Sequence, residues 1–424
     1  MPRPNFIDKL NAALPGPGRE ALDALTRAAR AASLSLYAVG GSVRDLLLER
    51  PTLDLDLTLV GDAPALARDV AAGLVDVRCT VHPAFRTATL KGAGFRIDVA
   101  SARAETYERP GALPTVRPGS LRDDLRRRDF TANAIALALS GDLTGGLIDP
   151  FNGKADLEAG LLRVLHEASF RDDATRILRG VRYEARLGFR FEPQTLRWLR
   201  RDVRYLETIS GARIREELVR IHNEPDPWRV LQRLDRLGAL SAIHPRLSFD
   251  AARARASRRL RGFGVDVAAG YFSLLAWGLT PRQATALAER LSLTKPEALA
   301  VRATPQAMAL EKRLACATRP SRITGLLSPL PFPAVWTIAA AAGEPARSLA
   351  LRYIKRMRNV QLSLDGDDLL ALGAPPGPRV GEVMRRLKAA KLDGEVRTRR
   401  DEERLARQIL SRLKTARTTR PRSS

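Results

Sequence analysis

Two carboxylates, Asp54 and Asp56, stand two residues apart in the run Leu53-Asp54-Leu55-Asp56-Leu57. Strand side chains alternate faces with a period of two. Asp54, Asp56 and Thr58 therefore share one face, and Leu53, Leu55, Leu57 and Leu59 the other. Carboxylates so spaced lie roughly 7 Å apart at their Cα atoms. Turning inward, they can share one or two hard cations such as Mg²⁺, which takes one or two carboxylates together with substrate phosphate oxygens. Upstream, Gly40-Gly41-Ser42-Val43-Arg44-Asp45 lies between an apolar strand, 36–39, and a helix starting near Val43. A glycine turn at that junction lets backbone N–H groups and the positive end of a helix approach phosphate. Metal-holding carboxylates beside a triphosphate turn point to nucleotidyl transfer. An isolated Asp-x-Asp is common on polar strand faces; the strand, Gly-Gly turn and helix before it set this one apart.

Three further groups carry candidate chemistry. In Phe95-Arg96-Ile97-Asp98-Val99-Ala100 the apolar residues form one face and leave Arg96 and Asp98 on the other. An adjacent strand would bring Asp98 to the metal as a third carboxylate; a solvated strand residue reads equally well from spacing alone. Arg126-Arg127-Arg128-Asp129 suits triphosphate or ribose, with Asp129 orienting an arginine, but a salt-bridged surface with Asp123 and Asp124 fits too. Asp172-Asp173-Ala174-Thr175-Arg176 opens a long helix, where first-turn carboxylates meet the helix dipole. Asp173 and Arg176 are three apart and so neighbours on one face. A carboxylate beside a guanidinium can read a nucleobase edge, and Arg179 and Arg182 extend the basic face; a surface ion pair is the alternative.

These groups need elements to hold them. Up to about Val164, glycine turns alternate with short apolar runs. Strands are predicted around 36–39, 53–60, 87–90 and 95–100 and near Leu147, which makes an α/β head. The run from Phe130 to Leu139 reads as helix-like. From Asp172 onward Ile177, Leu178, Val181 and Ala185 recur at helical steps, and later segments repeat the habit. The change of class falls near 165–172. Gly373-Ala374-Pro375-Pro376-Gly377-Pro378 is a helix-breaking turn between two late helices.

Composition sets the partners. The 424 residues carry 71 Lys+Arg against 47 Asp+Glu, a net charge of +24, which favours a polyanion. Arginine dominates, with only nine lysines, suiting bidentate phosphate contacts but also a codon-biased genome. Cys79 and Cys316 match no metal spacing or disulfide framework and read as buried apolar residues. The N-terminus lacks the apolar run of a signal peptide, and no stretch of about 18 apolar residues suggests a membrane span. A soluble, cytoplasmic protein is expected. Walker, HExxH, GxSxG and paired CxxC signatures are missing, which argues against kinase, P-loop ATPase and zinc-enzyme chemistry.

The block Gly40–Asp45 with Asp54-Leu55-Asp56 resembles the nucleotidyltransferase signature of the class II tRNA nucleotidyltransferases, the CCA-adding and bacterial poly(A) polymerase family. Asp124-Leu125-Arg126-Arg127-Arg128-Asp129-Phe130-Thr131-Ala132-Asn133-Ala134 resembles its ribose-selecting motif. Asp149-Pro150-Phe151-Asn152-Gly153 with Asp156 looks like the head-to-neck hinge. Asp172–Arg176 resembles the nucleotide-selecting Glu-Asp-x-x-Arg motif, and Arg213-Ile214-Arg215-Glu216-Glu217 the turn that stabilises the neck. The resemblance implies an α/β nucleotidyltransferase head followed by an all-α neck, body and tail in an elongated, multidomain molecule. Its expected parts are a head over 1–165, a neck over 166–245 and a tRNA-binding body and tail over 246–415. The basic Ser/Thr/Pro-containing end, 416–424, is expected to be disordered.

The same resemblance makes Asp54, Asp56 and Asp98 catalytic, with Mg²⁺ on Asp54 and Asp56. Its nucleotide-binding set is Gly40, Gly41, Arg44, Arg127, Arg128, Asp129, Asn133, Asp173, Arg176, Arg179 and Arg182. Asp173 and Arg176 would pair with CTP or ATP, the protein acting as template, and the helical part would clamp the acceptor and TΨC arms of tRNA. Asp172 replaces the family's usual Glu. CC-restricted members have a shortened flexible loop; here 103–123 is not obviously truncated, which favours A addition. A poly(A) polymerase, or a non-catalytic RNA-binding protein on a decayed transferase head, are the competing readings. Oligomeric state is not legible.

Overall fold

The computed structural model describes residues 6–51, 54–264 and 268–418. Leu53 and the last six residues of the expected basic tail lie outside them. The chain divides into two compact units, one of residues 1–226 and 233–243, the other of 227–232 and 244–424.

The first unit is built on a mixed seven-stranded sheet. Its strands are β1 (Ser35–Val39), β2 (Asp54–Val60), β3 (Arg78–His82), β4 (Thr87–Gly92), β5 (Phe95–Ser101), β8 (Ala136–Ala138) and β9 (Leu147–Ile148), in spatial order β3-β4-β5-β2-β1-β8-β9. A separate hairpin pairs β6 (Arg103–Thr106) with β7 (Thr115–Pro118). β2 runs antiparallel to β1 and parallel to β5, and the β2–β5 register sets Asp56 directly opposite Asp98. Alternation sorts the faces. Leu55, Leu57, Leu59, Leu90, Ile97 and Val99 are buried in one core cluster, packed under the helices Gly16–Ala31 and Ala63–Ala72. The second of these starts where Asp62 Oδ1 accepts from Ala65 N–H at 3.2 Å, satisfying one of the first-turn donors that lack a helical partner. The opposite face carries Asp54, Asp56, Arg96 and Asp98.

The apolar run Phe130–Leu139 is not a helix. It forms a 3₁₀ turn, Thr131–Asn133, and then β8. All three β8 residues are buried between β1 and β9, and a short strand covered on both faces shows no alternation to distinguish it from helix. β3, β6 and β7 were also not foreseen. Their alternating residues are only half-buried, so hydropathy leaves a faint trace.

After Ser169 helices dominate. Thr175–Leu187 buries Ile177, Leu178 and Val181 as the spacing predicts and ends at Gly188 with φ 74°. Ala185 is exposed because the buried stripe continues through Leu187 instead. In the second unit Ile323, Leu327, Val335 and Ile338 centre one core, and Leu369, Val383, Leu387 and Ala406 another. The glycine–proline turn separates helix Gly366–Ala371 from Pro378–Leu392. The final helix, Arg399–Thr418, runs past the point at which disorder was expected. Its fully buried Glu402 accepts from Ser363 and Leu364 N–H at 2.8 and 3.0 Å and from Lys391 Nζ at 2.6 Å.

No single helix among the described residues is long and apolar enough to cross a membrane. The helices Pro320–Leu327 and Phe332–Ala341 pass that test only as a pair, bent by 117°, and their apolar residues belong to the buried core. Neither cysteine is the buried residue expected: Cys79 is half-buried and Cys316 exposed, both as free thiols.

Candidate active site

The β1 strand ends at Gly40, whose φ of 75° and ψ of −135° suit glycine. A Cβ there would lie 2.6 Å from Arg128 Nη1 and 3.6 Å from Asp56 Oδ2. The missing side chain therefore lets the turn, the carboxylate and the guanidinium converge. Gly40, Gly41 and Asp56 line a cleft of about 360 Å³ together with Arg127, Arg128, Asp129, Asn133, Asp173, Arg176 and Arg179. Asp54 is exposed on the same strand face but does not line this cleft; Asp98 lines a neighbouring one that shares Asp56, Arg127 and Arg128.

The arginine run is organised by one acid. Asp124, fully buried, accepts from Arg127 Nη2 at 2.6 Å, Arg128 Nη2 at 2.9 Å and Thr58 Oγ1 at 3.3 Å. Burial opposes its ionisation, but the two guanidiniums outweigh it and hold the carboxyl below its usual range. Arg127 also reaches Glu105 at 3.1 Å, and Glu105 accepts from Tyr107 O–H at 3.0 Å. Both Glu105 and Tyr107 line the cleft. Arg127 and Arg128 pair with Asp124 in buried or half-buried positions, whereas Arg126 and Asp123 are exposed.

Asp129 is held by the long helix. It accepts from Arg179 Nε and Nη2 at 2.8 and 2.6 Å and from Asn133 Nδ2 at 2.8 Å. Burial works against its charge, yet Arg179, Asn133 and Arg176 keep it well below the ordinary carboxylate range.

Asp172 and Asp173 do not occupy the first turn of the long helix. Asp172 ends a short one, Ser169–Asp172, and Asp173 follows in extended conformation. Its Oδ1 accepts from Thr175 N–H at 3.0 Å and Oγ1 at 2.7 Å, and its Oδ2 from Arg213 at 2.8 Å. The short polar side chain bonds the backbone two residues on, which interrupts the helix there. Arg176 is buried and donates from Nη2 to the Arg127 carbonyl at 2.7 Å, while its Nη1 has no protein partner.

Two further expected residues, Arg44 and Arg182, do not line the cleft. Arg44 is buried, donating to Asn133 Oδ1 at 2.7 Å and to Asp45 at 2.8 Å. Arg182 is buried between Glu217 and Glu224, each at 3.4 Å. Both stack over Tyr183, at 5.2 and 4.9 Å from its ring centroid. Conversely, Glu105, Tyr107, Arg213 and Arg220 line the cleft without having been chosen as site residues. Arg213 carried a signal, its place in the neck-turn motif; Glu105 and Tyr107 carried none.

The donor set suits a hard divalent cation. Asp54, Asp56 and Asp98 crowd one sheet face, and no group of three or more such ligands in metal-holding geometry occurs among the described residues. Asp56 remains open to solvent, yet partial loss of its hydration raises its pKa, Arg128 opposes this, and the Asp98 and Asp54 charges raise it further. A hard cation, if held by Asp54 and Asp56, would relieve that repulsion.

Comparison with known proteins places these features. A family model described as the poly A polymerase head domain matches residues 36–163, and one described as a probable RNA and SrmB-binding site of polymerase A matches 188–250. The chain is 34% identical to the A-adding tRNA nucleotidyltransferase of Halalkalibacterium halodurans, covering 96% of each chain. It is 36% identical to the CC-adding tRNA nucleotidyltransferase of Deinococcus radiodurans, covering 88% of each. The A-adding enzyme of Geobacter sulfurreducens is 34% identical over 95% of this chain, which spans about half (48%) of that relative's length. Among solved structures, the Thermotoga maritima CCA-adding enzyme complexed with tRNA superposes with a TM-score of 0.77 at 28% identity, covering 96% of this chain and 98% of that one.

Proposed function

The chain belongs to the tRNA nucleotidyltransferase family, and we propose that it adds AMP from ATP, without a nucleic-acid template, to a tRNA already ending in CC. The observation that carries transfer is the convergence of Asp56, Gly40 and Arg128 at one end of a basic cleft, with Asp173 and Arg176 lining it as well. The choice of A is supported by the two A-adding relatives, whose matches take in 95% and 96% of this chain. The ordered β6–β7 hairpin within 103–123 supports it too, since CC-restricted members shorten that region.

In this reading the tRNA 3′-oxygen attacks the α-phosphorus of ATP. A new P–O bond forms, the bond to the bridging oxygen breaks, pyrophosphate leaves, and the hydroxyl proton passes to solvent. Arg127 and Arg128, preset by Asp124, neutralise triphosphate oxygens, while Gly40 and Gly41 let the backbone come close. Asp129 and Asn133 bound the ribose, and Arg179 holds Asp129 in place. Asp173 accepts from the base amino group and Arg176 donates to a ring nitrogen through its unpartnered Nη1. Much of the acceleration is positioning and charge stabilisation. Enzymes of this polymerase type depend on metal; Mg²⁺ on Asp54 and Asp56 would supply Lewis-acid stabilisation of charge on the reacting phosphate. The predominantly helical second unit and the net charge of +24 suit the acceptor and TΨC arms of tRNA, in the cytoplasm.

The test offers the protein Mg²⁺ and single nucleotides with tRNA ending at the discriminator, at C and at CC. One A on the CC end alone is expected. Two C additions would reassign it as a CC or CCA enzyme, long A tails as a poly(A) polymerase, and tight binding without incorporation as a decayed head.

A further inference from the structure

Tyr183 closes a loop of contacts behind Asp129 and Asn133. Arg44 Nη1 donates to Asn133 Oδ1 at 2.7 Å, and Asn133 Nδ2 donates to Asp129 Oδ1 at 2.8 Å. Asp129 Oδ2 accepts from Arg179 Nε and Nη2, and Arg179 Nη2 also lies 3.4 Å from the Tyr183 hydroxyl oxygen. The Arg44 guanidinium in turn lies 5.2 Å from the centre of the Tyr183 ring. Three short segments build this loop. Arg179 and Tyr183 are four apart on the long helix and so neighbours on its face. Asn133 ends the 3₁₀ turn that follows Asp129, and Arg44 comes from the helix after the glycine turn. Gly180, where a Cβ would come 2.8 Å from the Phe130 ring, lets that ring reach the helix and meet Tyr183 edge-on at 6.1 Å. An edge-to-face pair of this kind fixes the tilt of both rings.

The guanidiniums of Arg182, Arg44 and Arg179 lie 4.9, 5.2 and 5.9 Å from the Tyr183 centroid. Like charges so gathered repel one another, whereas the electron-rich ring attracts each of them. Two of the three, Arg44 and Arg179, are the residues that grip Asn133 and Asp129. We infer that Tyr183 is a positioning residue for sugar selection, setting Asn133 and Asp129 through Arg44 and Arg179 so that a ribonucleotide is preferred to its 2′-deoxy counterpart; this rests on the ribose placement proposed above. A site arranged to hydrogen-bond a hydroxyl rejects an analogue that lacks it, because its polar groups are left unpaired. That rejection weakens when the polar groups are free to turn away. Tyr183 lines the cleft but is only 9% exposed, so it presents little surface to a ligand and its effect passes through the groups that it holds.

Equilibrium binding of ATP and 2′-deoxy-ATP to the full chain with Mg²⁺ decides it, since neither tRNA nor transfer is needed. The unaltered chain is expected to bind ATP more tightly; equal affinities would overturn the ribose placement and this inference with it. Where the preference is present, Tyr183→Leu lowers the ATP-to-dATP affinity ratio roughly fivefold, less than the loss of a whole hydrogen bond to a charged group would give. The loss falls on ATP while dATP affinity holds, and Tyr183→Phe, which keeps the ring, keeps the ratio. An unchanged ratio in Tyr183→Leu, or equal losses for both nucleotides, overturns the inference and leaves the ribose placement standing. If the melting curve shows that Tyr183→Leu does not fold, Arg44→Gln takes its place at the other end of the loop. The same fall in ratio is then expected, and an unchanged ratio overturns the inference.

Discussion

Arg213 donates to Asp173 Oδ2 at 2.8 Å, while Thr175 occupies the other carboxylate oxygen. The proposed base acceptor is thus oriented before any nucleotide arrives, by a residue forty positions later. Arg213→Ala leaves Asp173 free to rotate. The expected result is a loss of selectivity, about tenfold in the ratio of kcat/KM for ATP over CTP, with a modest change in kcat for ATP. One hydrogen bond to a charged group, worth about 1.5–3 kcal/mol, is enough for that factor. Steady-state kinetics with each nucleotide checks it, and an unchanged ratio would reduce the ion pair to neck stability.

Asp54→Ala and Asp56→Ala should each abolish incorporation while tRNA affinity, measured by filter binding, stays within a few-fold. Chelation by EDTA should stop the unaltered enzyme and added Mg²⁺ restore it. Near-normal turnover in either variant would remove that carboxylate from the metal site.

Gly40→Ala places a methyl 2.6 Å from Arg128 Nη1 at a φ of 75°. Backbone strain of this kind costs about 1–3 kcal/mol, and Arg128 must also shift. A lower melting temperature with a raised KM for ATP is expected. A stable variant with normal KM would mean that the turn relaxes without disturbing the cleft.

The Asp129 carboxyl is held below its ordinary range chiefly by Arg179 and Asn133, against the effect of burial. A depressed folded value contributes stability above the unfolded carboxylate pKa, near 3.9, and that contribution is lost as pH falls through the folded value. Asp129→Asn should cost about 2 kcal/mol at neutral pH, a figure kept modest because a third of the Arg179 side chain meets solvent. Urea unfolding at several pH values should show the gap narrowing below about pH 4. A constant gap would assign the loss to shape rather than charge.

Much of the head was legible because its signals are local. Alternation in β2 put Asp54 and Asp56 on one face, and Gly40 announced its turn. The helical register of Ile177, Leu178 and Val181 held. β8 was misread because a strand buried on both faces loses the alternation that identifies it, and β3 was missed because its residues are only half-buried.

What the sequence by itself determined was the type of chemistry: paired carboxylates, a glycine turn and an arginine run, each defined by spacing over a few residues. Only the tertiary structure decided which arginines line the cleft. Arg44 and Arg182 looked as suitable as Arg128 and Arg176, yet each is buried against partners 89 and 35 residues away, Asn133 and Glu217. Conversely, the β2–β5 register set Asp98 beside Asp56, and chain folding carried Glu105, Tyr107 and Arg213 to the cleft. A guanidinium behaves as a structural ion or as a ligand according to what surrounds it, and that is settled by long-range packing.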